Sequence, residues 1–148
     1  MTNAEQQRII FWEMFEKELN DQGNPFHISY RTHYATINRK SPTSDFCVSM
    51  DFLIQKEFLR VGVYIRDNIP AFEHLYNHKE KIESELNFKP TWVMVGDRNP
   101  NTRRIQICFP FRPYRRDEYQ RIIKQAIPHI IKLISVIPRY STEDLFDF

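Results

Sequence analysis

The stretch DFCVSMDFLIQKEFLRVGVYIR, residues 45–66, decides the fold. Phe46, Val48, Met50, Phe52 and Ile54 alternate along its first half, and Leu59, Val61, Val63 and Ile65 along its second. A period of two places these side chains on one face of a strand, so each half reads as a half-buried strand. The connection between them is short enough only for antiparallel neighbours. A sheet with one face against a core follows; a chemistry does not.

Working outward from this hairpin, residues Asn3 to Asp21 read as a first helix. Thr2 can cap it while Glu5 reaches back in a capping box. Trp12, Phe15 and Leu19 share one face, with Phe11 and Ile9 alongside. Gly23 and Pro25 close it, glycine by accepting a left-handed conformation and proline by refusing to continue the helix. His27 to Tyr30 and Tyr34 to Arg39 read as one bent strand, followed by the turn residues Ser41-Pro42-Thr43-Ser44. On the other side, Asn68 and Pro70 open a second helix whose stripe is Phe72, Leu75, Ile82 and Leu86, ended by Pro90. Lys79 interrupts that stripe and would snorkel to solvent. Thr91–Val95 and Arg103–Phe109 read as a second hairpin about Gly96-Asp97-Arg98-Asn99-Pro100-Asn101. A last helix from about Asp117 to Ile137 carries Ile123, Ile127, Ile130, Ile134 and Ile137, with a kink expected at Pro128.

The expected order is α-β-β-β-α-β-β-α. Short connections make the sheet mainly antiparallel, with about five strands, and the apolar helix faces cover one side of it. The fold class is therefore a two-layer α+β domain. Residues 1–140 form the single domain and 141–148 an acidic, aromatic tail that docks weakly or frays.

Composition narrows the function classes. The 148 residues are 41% hydrophobic and 27% charged, which suits one globular domain that needs neither disulfide nor structural metal. No apolar run approaches the roughly 20 residues of a bilayer span, and Met1-Thr2-Asn3-Ala4-Glu5, with no basic region leading into an apolar segment, gives the expectation of no secretory signal. Cys47 and Cys108 stand alone inside strands, as buried structural thiols would in a reducing compartment, so a cytoplasmic location is expected. A net charge of +2 selects no partner. Three glycines leave no room for a phosphate-cradling loop, and neither GxGxxG, GxxxxGK[ST] nor GxSxG occurs. No cofactor is expected.

Three constellations could carry chemistry. His74 and His78 have the i, i+4 spacing of zinc ligands, yet they lie opposite the apolar stripe, lack the glutamate of a zinc-protease motif and have no third ligand, so no metal site is expected. The stretch Arg98–Lys124 combines Arg98, Arg103, Arg104, Arg112, Arg115, Arg116, Arg121 and Lys124 with Phe109, Phe111, Tyr114 and Tyr119. Arginines among aromatics suit phosphate and single-strand recognition, the alternative being a solvated surface with Asp117 capping the helix. The candidate nucleic-acid contacts are Arg103, Arg104, Arg112, Arg115 and Arg116. Finally, a magnesium nuclease of the restriction type needs a (D/E)xK pair, and none occurs. Asp51, between Met50 and Phe52, should face away from the core as a solvated carboxylate.

Phe11-Trp12 with Phe15, the strand Arg60-Val61-Gly62-Val63-Tyr64-Ile65, then Phe72, Leu75, Ile82-Glu83, Leu86, Trp92 and Arg104-Ile105 carry a resemblance. The chain resembles an uncharacterised prokaryotic domain-of-unknown-function family, often found C-terminal to restriction-endonuclease-like nuclease domains. These are packing residues, so the resemblance speaks for the fold. It implies work near DNA restriction, defence or repair. The domain is expected to carry no nuclease on its own chain and to act in trans on a separate nuclease, with nucleic acid as a further candidate partner, the alternative being a drift to another role.

The leading expectation is thus a non-enzymatic accessory domain. The alternatives are a hydrolase or nuclease whose dispersed site uses Asp45, Asp51, Glu57 and His33, and a homodimer formed through a sheet edge or the tail.

Overall fold

The computed structural model describes residues 3–23, 28–30, 34–37, 46–96 and 99–142. Helix α1 (Asn3–Asp21) has the bounds expected from its periodicity. Gly23 ends it at φ +74°, its N–H bonding Asn20 O at 2.9 Å, which is the left-handed closure that glycine permits. The capping Thr2 and the terminating Pro25 lie outside the described residues, as do His27, His33, the turn at 41–44, Asp45, Asp97, Arg98 and the tail from 143.

Strands β1 (Ile28–Tyr30), β2 (Tyr34–Ile37), β3 (Phe46–Leu53), β4 (Phe58–Arg66), β5 (Thr91–Val93) and β6 (Thr102–Pro110) form one antiparallel sheet in the order β1-β2-β3-β4-β6-β5. The expected class is borne out, with six strands among the described residues where about five were read. The extra one arises because the single bent strand is two, β1 and β2, which pair Ile28 with Ile37 and Tyr30 with Ala35. Two chain segments that fold back on each other show the same alternation as one bent strand, so the pattern could not separate them.

The second helix is also divided, into α2 (Ile69–Tyr76) and α3 (Lys79–Leu86). At the break the His78 N–H bonds Leu75 O at 2.9 Å, a tighter i→i+3 link, and Asn77 and His78 have little helix propensity to resist it. Lys79 therefore opens α3 instead of interrupting a stripe; its Nζ lies 5.5 Å from the Tyr76 ring centroid. Asn68 caps α2, its Oδ1 accepting from Ala71 N at 3.3 Å. The last helix, α4 (Tyr119–Tyr140), follows a short 3-10 turn at Arg116–Glu118 and continues through Pro128 and Pro138.

The four α-helices of the described residues bury their apolar stripes in one core with the same face of the sheet. Phe11, Trp12 and Phe15 of α1, Phe72 and Leu75 of α2, Ile82 and Leu86 of α3, and the isoleucines of α4 join Val48, Met50, Phe52, Leu59, Val61, Val63, Ile65, Ile105 and Phe109. Strand alternation sends Cys47, Ser49, Asp51, Arg60, Gly62, Tyr64, Arg104, Gln106 and Cys108 to the opposite face, which is helix-free among the described residues. That segregation positions Asp51, Arg103 and Arg104.

Candidate functional site

The five arginines read from the sequence fall into three places. Arg104 points from β6 to the helix-free face. Arg103, its neighbour, points to the helix side, where its Nη1 donates to Thr102 O at 3.2 Å and to Pro100 O. Arg112, Arg115 and Arg116 sit at the other end of β6, exposed in the loop that leads into α4. The sheet thus separates Arg103 and Arg104 from the other three.

The loop has its own electrostatics. Arg115 clasps Asp117 with Nε to Oδ1 at 3.2 Å and Nη2 to Oδ2 at 2.9 Å. This bond raises the Arg115 pKa and lowers that of Asp117. Arg121 pairs with Glu118 at 3.0 Å, and Glu118 Oε2 also accepts from the Arg112 backbone N–H at 3.2 Å. Arg112, Arg115, Arg116 and Arg121 face only Asp117 and Glu118 within the loop and the helix turn it enters, a surplus of cations. Tyr114, 59% exposed, stands among them.

Arg116 anchors the loop to α1. Its Nε donates to Gln7 Oε1 at 3.1 Å. The same oxygen lies 3.2 Å from the Tyr119 hydroxyl, whose proton is also offered to Pro113 O. Gln7 is buried on the apolar side of α1, a polar residue in a hydrophobic stripe, and helical spacing gave no sign that it would be used. Burial pushes the Tyr119 pKa up to about 12, with Tyr114 adding and Arg116 opposing. A folded pKa above the unfolded value of about 10 means that the native state holds its proton more tightly. The stability this contributes is complete below pH 10 and is lost as pH rises from about 10 to about 12. In urea unfolding series, Tyr119→Phe is therefore expected to flatten the loss of stability between those pH values. An unchanged slope would remove Tyr119 as its source.

The helix-free face holds a second cluster, which the sequence did not reveal. Asp51 of β3 is 9% exposed and is not a solvated carboxylate. Register places Arg60 opposite it on β4, and Arg60 Nε donates to its Oδ2 at 3.1 Å. Arg104 reaches the same oxygen from β6, with Nη1 at 3.4 Å. Gly62 lies between them on β4 and projects no side chain into the way. Arg104 also lies over the Tyr64 ring, 4.7 Å from its centroid. Burial lowers the Arg104 pKa first and Arg60 second, with Asp51 opposing both. Gln106 contributes a side-chain oxygen that is buried without a hydrogen-bond partner. Cys108, expected as a buried thiol, is instead exposed at the end of the row, because β6 turns it away from the core; partial desolvation still raises its pKa, with Arg60 opposing and Asp51 adding, and Cys47 is buried as expected.

The remaining candidates do not assemble. The His74 and His78 rings lie 5.0 Å apart, and His78 Nδ1 lies 2.9 Å from His74 O. Among the described residues no group of three or more His, Cys, Asp or Glu is placed to hold a metal ion. Of the dispersed acidic site, Asp45 and His33 lie outside the described residues, Asp51 is held by two guanidiniums, and Glu57 is exposed in the β3–β4 turn. No helix among the described residues is long and apolar enough to cross a membrane.

An open antiparallel sheet with four helices on one face, and arginine clusters on the other face and at one end, defines an α+β domain. The chain belongs to the family described as Domain of unknown function (DUF4268), whose model matches residues 7–141. No curated protein matches the chain, and no solved structure does.

Proposed function

We propose that this domain is an accessory module that contacts nucleic acid and works with a nuclease carried on a separate chain, in restriction, defence or repair. The observation that carries the reading is the loop before α4, where Arg112, Tyr114, Arg115 and Arg116 are all exposed within five residues. Guanidiniums supply phosphate contacts and the tyrosine a stacking surface. The resemblance to domains that follow restriction-type nucleases supports the choice of partner.

The test is fluorescence anisotropy with labelled single- and double-stranded DNA across a salt series. Phosphate contacts release counterions, so affinity should fall linearly in log salt, with a slope of about −0.9 per contact on duplex. Replacing Arg112 and Arg116 by alanine should each reduce that slope by about 1. Arg115→Ala should do less, because Asp117 already engages its guanidinium. Arg103→Ala, on the helix side of β6, should leave the slope unchanged. No binding at low salt, or a slope indifferent to all three loop arginines, rejects the reading.

A further inference from the structure

We propose that Arg60 and Arg104 form a phosphate-binding site on the helix-free sheet face, and that Asp51 fills it in the free protein. Two guanidiniums converge on one carboxylate oxygen, at 3.1 and 3.4 Å. Neither contact is the two-pronged clasp that arginine makes when a carboxylate is its dedicated partner. The cluster therefore carries one more positive charge than negative. Its side chains keep 21% and 20% of their surface exposed for the two arginines, against 13% for Asp51. The partial exposure of both guanidiniums leaves them accessible to an anion from solvent.

The surroundings favour a preformed site over an accidental pair. Arg104 is held between the Tyr64 ring and Asp51, so little rotamer freedom remains to be lost on binding. Gly62, across from Gln106 in the register, adds no side chain between Arg60 and Tyr64 on this face of β4. The buried, unpartnered Gln106 oxygen offers an acceptor to a ligand that also carries a hydrogen-bond donor. A phosphate oxygen would take the position of the Asp51 oxygen and displace it from both guanidiniums. This site is separate from the loop before α4 and stands or falls independently of it.

Asp51→Asn removes the internal competitor while keeping its shape, and the two arginines remain. Inorganic phosphate, titrated calorimetrically at constant ionic strength, should bind Asp51→Asn about tenfold more tightly than wild type. Phosphate should also raise the unfolding midpoint of the variant by more than that of wild type. Adding Arg104→Gln should abolish both effects. A ten-residue oligothymidylate, titrated in parallel, separates the sources of the phosphate group. Tightening with the oligonucleotide alone assigns the site to nucleic acid, and tightening with inorganic phosphate alone assigns it to a free phosphate. Equal behaviour of wild type and Asp51→Asn toward both ligands overturns the proposal, even if the loop arginines bind DNA. Should Asp51→Asn not fold, the Arg60 and Arg104 Nε resonances of wild type must shift and saturate with phosphate. Resonances that stay fixed overturn the proposal equally.

Discussion

Replacing Gly62 by alanine is expected to lower the unfolding midpoint by roughly 6–12 °C, the consequence of about 3 kcal/mol lost from a chain of this size. A β-carbon on Gly62 would lie 2.2 Å from Ile105 O and 2.8 Å from Gln106 Cα. Both are backbone atoms of β6, so no side-chain rotation relieves the clash. The two strands would have to separate where β4 meets β6 in the middle of a nine-residue ladder, running from Phe58–Pro110 to Arg66–Thr102. Overpacking usually costs about 1–3 kcal/mol, and a backbone clash between central strands falls at the top of that range. Scanning calorimetry checks this directly. A midpoint within a degree of wild type would mean that β4 and β6 approach less closely than described. The same variant bears on the proposed phosphate site, since Arg104 reaches across β4 to Asp51 beside Gly62.

Truncating Phe11 to alanine should cost about 3–5 kcal/mol, comparable to or larger than the Gly62 effect. Phe11 is fully buried, and its ring centroid lies 4.8 Å from that of Phe52, 5.1 Å from Trp12, 5.3 Å from Tyr119 and 5.9 Å from Phe111. Most of these pairs meet edge to face, which adds to the burial itself. One residue thereby joins α1, β3, the end of β6 and the start of α4. The cavity left behind is walled by rings that cannot collapse into it, which places the loss high in the usual range. Urea unfolding gives the value; a change under 1 kcal/mol would show that α1 repacks. Because the Gln7–Arg116–Tyr119 node sits one helical turn away, this variant should also loosen the loop before α4. On the proposed nucleic-acid reading, a weakened DNA interaction in Phe11→Ala with all the loop arginines intact is the expected functional sign.

Much of the fold was legible because it rests on local patterns. The bounds of α1 followed from its periodicity and from Gly23, and the β3–β4 hairpin from two runs of alternation. The misreadings share a cause. Whether residues 28–37 make one strand or two, and whether 68–86 make one helix or two, depends on small energy differences at connections. Neither alternation nor stripe spacing records those differences. The site was harder to read. Listing arginines by proximity in sequence joined Arg103 to Arg104, which β6 sends to opposite faces, and omitted Arg60. Asp51 was correctly turned away from the helices, but facing away from a core is not the same as facing water.

What the sequence alone determined is the class: one antiparallel sheet, apolar on one side, covered there by amphipathic helices. Side-chain periodicity is set by the backbone geometry of each element, so it can be read without knowing what lies beside that element. The tertiary structure decided which charges meet. Asp51 and Arg104 are 53 residues apart in sequence, and Gln7 and Tyr119 are 112 apart. They come together because β6 enters the sheet beside β4, leaving β5 at the edge, and because α4 crosses α1. Strand order and helix crossing are chosen by the packing of the whole core, a sum over many weak contacts that no single stretch of chain encodes.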